Sequence, residues 1–290
     1  MSIKRNNLPR SAASNFGELV EWGCGELALA STTPRLDTEL LLAIAVDRPR
    51  SVIVGFPELV ASPGSCDRFR DLVQERARGV PLAYLSGKKE FYSLQLGVTP
   101  DTLVPRPETE LLVDQSLKLL AGRHSASVVE LGTGSGAIAL ALKYERPDLD
   151  VTAVDSSQAA LRVAQQNAAR LGLDVRLLES IWFNALGGER YDLIVANPPY
   201  IASCDPHFRT DLRHEPRTAL DGGDDGLAAI RSILAGAGAY LKKDGYVLLE
   251  HGFDQGIAVA MLARENCFAE IEVCLDLNGQ NRALIAQAPR

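Results

Sequence analysis

A chain of 290 residues, 46% of them hydrophobic, can bury a substantial core and hold one large domain plus a small one, and no apolar run in it approaches the roughly 20 residues that a bilayer span needs. The net charge of −7 is unevenly spread, with 10 basic against 10 acidic side chains in residues 1–85 and 20 against 27 in residues 86–290. An acidic second part argues against a duplex-DNA enzyme working alone, because neutralising phosphates calls for a cationic surface.

The first residues, Met1-Ser2-Ile3-Lys4-Arg5-Asn6-Asn7, lack an apolar signal core, so a cytoplasmic protein without membrane contact is expected. The five cysteines (Cys24, Cys66, Cys204, Cys267 and Cys274) are odd in number and contain no Cys-x-x-Cys, which indicates neither a disulfide framework nor a zinc site. His207, His214 and His251 lack ligand spacing and read as structural, so no metal is expected.

Residues 16–80 lack strand-like alternation and are interrupted by Pro34, Pro49, Pro57 and Pro63, which predicts short helices between prolines. Thr33-Pro34 places a capping hydroxyl before a proline at the first helical position, and Leu36, Leu40, Ala43, Ile44 and Val46 form an apolar stripe. From Phe91 to Val104 the pattern alternates (Leu94, Leu96, Val98), bounded by Gly87, Gly97 and Pro100, as in a β-hairpin. The chain thus divides into a helical domain over 1–85, a hairpin linker over 86–105 and an α/β domain over 106–290.

In the last of these, strand and helix signals alternate as in a doubly wound parallel sheet. Strands are expected at 127–131, 150–155, 175–178, 191–196, 245–250, 270–275 and 283–287, and helices at 107–121, 136–146, 157–171, 224–241 and 253–266. The turn at Asn278-Gly279 makes the last strand run against the others.

Val128-Val129-Glu130-Leu131-Gly132-Thr133-Gly134-Ser135-Gly136 follows a strand and opens a helix, so its glycines lie where the backbone turns tightly and approaches a ligand. About 20 residues on, Asp155 ends a second strand in a carboxylate suited to a ribose diol. Gly132-x-Gly134-x-x-Ala137 also satisfies the dinucleotide fingerprint, and the glycines alone do not decide between cofactors. Tyr191-Asp192-Leu193-Ile194-Val195-Ala196 then stops in Asn197-Pro198-Pro199-Tyr200, where two prolines cannot continue a ladder and leave a stiff ledge. Hydride transfer needs no such ledge, whereas methyl transfer from S-adenosylmethionine to a planar NH2 group does. Such a nitrogen is a weak nucleophile, and the Asn197 side-chain oxygen and Pro198 carbonyl would grip its two N–H bonds while Tyr200 packs against the acceptor plane. With an excellent leaving group, aim matters more than a strong base.

The two motifs together resemble the amino-methyltransferases. Further stretches make the chain similar to the release factor glutamine methyltransferase (PrmC/HemK) family from about residue 30 to 285. They are Arg35-Leu36-Asp37-Thr38-Glu39-Leu40-Leu41-Leu42, Pro105-Arg106-Pro107-Glu108-Thr109-Glu110, Glu215-Pro216-Arg217-Thr218-Ala219-Leu220-Asp221-Gly222-Gly223 and Leu249-Glu250-His251-Gly252. The resemblance implies an α/β fold, a seven-stranded Rossmann-like S-adenosylmethionine-dependent methyltransferase domain with a small helical N-terminal domain that docks the substrate. It implies methylation of the glutamine side-chain amide in the Gly-Gly-Gln motif of class 1 peptide chain release factors. It implies S-adenosylmethionine contacts from Gly132, Thr133, Gly134, Ser135, Gly136, Asp155, Trp182 and Asn197, with Asn197, Pro198, Pro199 and Tyr200 holding the glutamine, and Asn197, Pro198 and Tyr200 as the catalytic set. Arg106 and Glu108 are expected on a substrate-pocket wall, although Pro107, Glu108 and Glu110 also suit a helix start. Ile181 stands where the family usually has an acidic residue. The competing reading is methylation of an exocyclic amine of adenine or guanine in nucleic acid. A third is a non-catalytic cofactor-binding adaptor, which has no need of Asn-Pro-Pro-Tyr.

Overall fold

Two compact units, divided between Gly87 and Lys88, make up the chain. The computed structural model describes residues 13–210 and 212–288, so the first twelve residues of the expected helical domain lie outside the described residues. No helix among the described residues is long and apolar enough to cross a membrane.

In the first unit, β1 (Ser14–Asn15) leads into α1 (Phe16–Leu27), followed by α2 (Pro34–Val46), α3 (Arg50–Gly55), β2 (Val60–Ala61, antiparallel to β1), α4 (Pro63–Ala77) and α5 (Leu82–Ser86). Local chemistry sets the starts. Asn15 and Glu18 form a reciprocal capping box on α1, and Ser62 before Pro63 accepts from Ser65 N to open α4. At α2 the proline is in place, but the Thr33 hydroxyl caps nothing and donates to Asp37 Oδ1 at 3.3 Å. The expected apolar stripe on α2 is found in part: Ala43, Ile44 and Val46 pack against the core, but Leu36 is exposed, and the fully buried face carries Thr38, Leu41, Leu42 and Ala45. Asp37 and Glu39 join that face because each is paired, Asp37 with Arg76 and Glu39 with Arg35 and Arg50. A Cβ on Gly23 would come within 2.5 Å of Thr38, so glycine is what lets α1 and α2 approach.

The second unit begins with a hairpin of β3 (Lys88–Phe91) and β4 (Leu94–Gly97), turned at Tyr92 and Ser93 with φ of 49° and 61°. It covers 88–97, less than the hairpin linker expected over 86–105 and earlier than the alternation read from Phe91 to Val104, and its Phe91, Leu94 and Leu96 pack into the sheet's own core. Asn167 fixes it there, accepting from Gly97 N at 2.7 Å and donating to Gly97 O at 3.0 Å and Ser135 O at 2.8 Å. A short 3-10 turn over Pro107–Thr109 precedes α6 (Glu110–Leu119), where one helix over 107–121 was expected.

There follow β5 (Ser127–Leu131), α7 (Ala137–Glu145), β6 (Asp150–Asp155), α8 (Gln158–Leu171), β7 (Arg176–Glu179), β8 (Tyr191–Ala196), α9 (Ala228–Tyr240), β9 (Leu241–Glu250), α10 (Gly256–Glu265), β10 (Ala269–Leu275) and β11 (Asn281–Gln287). They build one seven-stranded sheet in the order β10-β11-β9-β8-β5-β6-β7. The pairs from β9 through β7 are parallel, and β11 is antiparallel to both its neighbours. Alternation along the strands fills two layers: Val128, Leu193, Val195 and Leu248 face one core, and Val129, Ile194, Ala196 and Leu249 the other. α9 starts four residues later than expected because Gly222 and Gly226 lie against the Asn-Pro-Pro segment. A Cβ on Gly226 would meet Tyr200 O at 2.4 Å, and one on Gly222 would meet Pro199 O at 2.8 Å. β9 starts earlier than expected, at Leu241, with a register shift against β8 before Tyr246.

Replacing Asn167 with alanine leaves three backbone groups without partners at once. The expected cost is about 3 kcal/mol of stability, read by urea denaturation; a loss under about 1 kcal/mol would show the hairpin to be held by packing alone.

Candidate active site

The sheet register creates the site. β5 ends at Leu131, which is level with Val154 of β6 on one side and Ala196 of β8 on the other. Gly132, Asp155 and Asn197 are therefore the next residues out on three adjacent strands. The strand order also turns at β5, since β6 and β7 lie to one side and β8 and β9 to the other. In open parallel sheets, the crevice beyond the carboxyl ends at such a turning point takes ligands.

A cavity of about 200 Å³ occupies that crevice, lined by Gly132, Thr133, Gly134, Ser135, Asp155, Trp182, Asn197 and Pro199 together with Glu130, Pro105, Thr109, Pro216, Thr218 and Ala219. Gly132 and Gly134 have φ of 76° and 56°, in the left-handed region that favours glycine. Gly132 N and Thr133 N donate to Val154 O, and Gly134 N donates to Asp155 Oδ2 at 2.8 Å, so the loop is laced to the end of β6. Asp155 Oδ1 accepts from Ser157 N, which leaves each carboxylate oxygen with a further lone pair for a ligand. Trp182 hangs over the loop, 3.8 Å from where a Gly132 Cβ would be. Its own φ of 48° is costly for a non-glycine residue, a strain of the kind that clusters at ligand sites. Asn197 Nδ2 donates one of its two N–H bonds to Thr109 Oγ1 at 3.1 Å, which turns the donor end of the amide towards Thr109.

The PrmC N-terminal domain model matches residues 18–87 and the Methyltransferase small domain model residues 107–215. A release factor glutamine methyltransferase of Salmonella typhimurium is 44% identical over 87% of this chain and 91% of its own length. Another, of Pseudomonas aeruginosa, is 48% identical over 89% of this chain and 94% of its own. The chain belongs to the release factor glutamine methyltransferase family. In fold alone, the second unit's architecture is shared with a methyltransferase from Pyrococcus furiosus, at a TM-score of 0.52 and 18% identity over 68% of this chain and 90% of that one. The protein is thus an S-adenosylmethionine-dependent methyltransferase by family.

Of the residues expected at the site, Gly132, Thr133, Gly134, Ser135, Asp155, Trp182, Asn197 and Pro199 come together on the cavity, whereas Gly136, Pro198, Tyr200, Arg106 and Glu108 do not line it. Gly136 opens α7 with φ of 85°, and a Cβ there would press within 2.9 Å of Leu140, so its smallness serves packing. The Tyr200 ring turns away from the cavity and donates its hydroxyl to Glu250 Oε1 at 3.0 Å; burial and that carboxylate push the phenol well above its ordinary range. Arg106 is spent on an ion pair with buried Glu215, whose other oxygen accepts from Val104 N at 3.0 Å. That clasp fastens the Pro105 wall to the Pro216 to Ala219 wall, joining two motifs that lie far apart in sequence.

Three buried acids stand at or behind the cavity: Glu130 and Glu250, to which the sequence alone assigns no role of their own, and Glu215, which it places on an ordered loop at a pocket rim. Their signal was their position inside the quoted motifs. Glu250 is wholly buried at the end of β9; burial pushes its carboxyl up, against the Thr109 and Tyr200 hydroxyls and the Arg282 charge, which favour its ionised form, while Glu108 adds to the rise. Glu130 accepts from Thr133 Oγ1 at 2.6 Å and Ala139 N at 3.0 Å, and burial pushes its pKa up to about 8.

The Glu130 shift has a definite sign. Folded Glu130 holds a proton that the unfolded chain releases near 4.5, so its contribution to stability is complete below 4.5 and is lost as pH rises towards about 8. The loss in that window is at most about 1.4 kcal/mol per pH unit. Chemical denaturation of Glu130→Gln at pH 5 and pH 8 is expected to show a flatter pH dependence than the parent chain, and parallel curves would show the carboxyl to be ionised throughout.

Proposed function

We propose that this chain transfers the methyl group of S-adenosylmethionine to the side-chain amide nitrogen of the glutamine in the Gly-Gly-Gln motif of a class 1 peptide chain release factor. The observation that carries this reading is the Asn197 amide. Its Nδ2 is tied back to Thr109, so its Oδ1 is the end left for a ligand in a cavity that also holds the glycine loop and Asp155.

The residues present fit the cofactor. Gly132 and Gly134 offer a cradle with no side chain above it, Asp155 offers free carboxylate lone pairs to a ribose diol, and Trp182 offers a ring face to adenine. Ile181, where the family usually has an acidic residue, is exposed beside Trp182 and offers no carboxylate to the adenine amino group, so packing on the ring is the main hold on the base. When bound, the cofactor supplies an electrophilic methyl carbon on sulfur and a neutral thioether as leaving group.

The protein's task is then aim. Asn197 Oδ1 accepts one amide N–H bond, and the carbonyl of Pro198, next along the ledge though outside the cavity lining, accepts the other, which turns the nitrogen lone pair towards the methyl group, while Pro105, Pro199 and Ala219 form apolar walls around the glutamine side chain. Arg106 acts on the pocket through its Glu215 clasp, and Tyr200 from behind the ledge. The division of labour we propose is docking of the release factor by residues 1–85 and chemistry by residues 106–290, with the 86–105 segment joining them.

Mass spectrometry of a purified class 1 release factor incubated with enzyme and S-adenosylmethionine is expected to show one added methyl on that glutamine. Parallel incubations with RNA and DNA test the exocyclic-amine reading, and label in nucleic acid with none in the release factor would overturn the proposal. Asn197→Ala is expected to lower kcat on the order of 10²- to 10³-fold with little change in S-adenosylhomocysteine affinity. Trp182→Ala is expected to do the reverse, weakening that affinity by about tenfold or more, as loss of base stacking does.

A further inference from the structure

An amide has no intrinsic preference between its two ends, so something behind Asn197 must choose which one faces the cavity. The β8–β9 ladder ends with Ala196 opposite Leu249, and the next residues out are Asn197 and Glu250. Strand alternation sends both side chains to the face that Leu112 and Val113 of α6 cover. Thr109, 4% exposed and immediately before α6, takes the Asn197 Nδ2 donation. A threonine hydroxyl has one proton, and having accepted from Asn197 it sends that proton elsewhere. Glu250, 1% exposed and level with Asn197 on the neighbouring strand, is the acceptor placed to receive it. Its Oε1 already accepts from Tyr200, and its Oε2 is buried with no hydrogen-bond partner among the described residues, so the carboxylate has an acceptor to spare.

We propose that Glu250 is a positioning residue for methyl transfer, a buried acceptor that polarises Thr109 so that Asn197 presents Oδ1 rather than Nδ2 to the substrate amide. The inference rests on the role given to Asn197 above. Glu250 does not line the cavity; it acts through Thr109, and Tyr200 steadies it from the other side. Burial opposes ionisation of Glu250, whereas the Tyr200 and Thr109 hydroxyls and the Arg282 charge favour it; in the ionised form the carboxylate only accepts, and the direction of the chain is then fixed from its inner end. A glutamine at 250 keeps the shape but brings donors. It would donate to Thr109, the hydroxyl would donate to Asn197 Oδ1, and Nδ2 would meet the substrate NH2 donor to donor.

The test uses the full chain as parent, Glu250→Gln, Thr109→Val, Thr109→Ser and the Glu250→Gln/Thr109→Val double variant. Each is assayed on a purified class 1 release factor, with S-adenosylhomocysteine affinity by calorimetry and the Asn197 side-chain amide followed by 1H–15N NMR. Glu250→Gln is expected to lower kcat on the order of 10²-fold, the usual consequence of losing one preorganised polar contact, and to shift the Asn197 amide protons. The KM for release factor and the S-adenosylhomocysteine affinity should stay within about threefold, as for a contact used only in the transition state. Thr109→Val should lose a similar factor, Thr109→Ser should recover most of it, and the double variant should be no worse than Thr109→Val. Parent-like turnover in Glu250→Gln, or losses that multiply in the double variant, would overturn the proposal. If Glu250→Gln does not fold, the valine and serine variants still decide, because parent-like turnover in Thr109→Val overturns it equally. If the parent chain fails to methylate the release factor, the substrate reading fails by itself. The Asn197 amide signal still reports on positioning, and an unmoved signal in Glu250→Gln sinks the inference independently.

Discussion

Level termination of three parallel strands is the constraint from which the site follows. β5, β6 and β8 run in register to Leu131, Val154 and Ala196, and each then has to leave the sheet in a different way. β5 leaves through glycines in the left-handed region, β6 through a carboxylate that accepts from the glycine loop, and β8 through prolines that have no N–H to offer a ladder. Backbone polar groups freed at a sheet end must find partners, and here some are found within the loops and the rest face a cavity. The crevice is thus a product of where pairing stops.

The acid excess of the second unit takes on a meaning in this light. Glu130, Glu215 and Glu250 are almost fully buried, and each ties together segments that approach from different parts of the chain. Glu130 binds the glycine loop to the first turn of α7, Glu215 binds the segment before α6 to the loop after β8, and Glu250 binds β9 to the Asn-Pro-Pro-Tyr segment. Taking a carboxylate out of water is expensive, and it is tolerated where directed donors meet it. Such groups contribute little net stability. What they contribute is one geometry in place of several.

That division explains what could be read from the sequence. β5, β6 and β8 were legible to the residue because a β-branched run bracketed by glycine or proline is a local signal, and the Asn278-Gly279 turn located the one antiparallel strand of the set. Less legible were features settled by partners far along the chain. The Asn197 to Thr109 bond spans 88 residues, and those of Glu215 to Arg106 and Val104 span 109 and 111. Nothing near Arg106 announces that its charge is spent on Glu215, and nothing near Tyr200 announces that its hydroxyl points inward. The apolar stripe of α2 was placed partly off the buried face for a related reason: Ala43, Ile44 and Val46 do pack on the core, but Asp37 and Glu39 look like surface residues until Arg76, Arg35 and Arg50 are brought to them.

The chemistry gives such long-range contacts their importance. An amide nitrogen is a poor nucleophile and a sulfonium an excellent leaving group, so a strong base would add little and orientation must supply much of the rate. Orientation in a polar site is a question of which end of each group donates, and hydroxyls and amides are ambivalent about it. A chain of ambivalent groups takes its direction from a terminus that has no choice. In water any such terminus competes with solvent that donates and accepts with equal ease, so the directing group is effective only where water is excluded. Under the role proposed for it, an ionised Glu250 at the end of β9, buried and level with the ledge, meets both requirements, and its burial then serves aim more than stability.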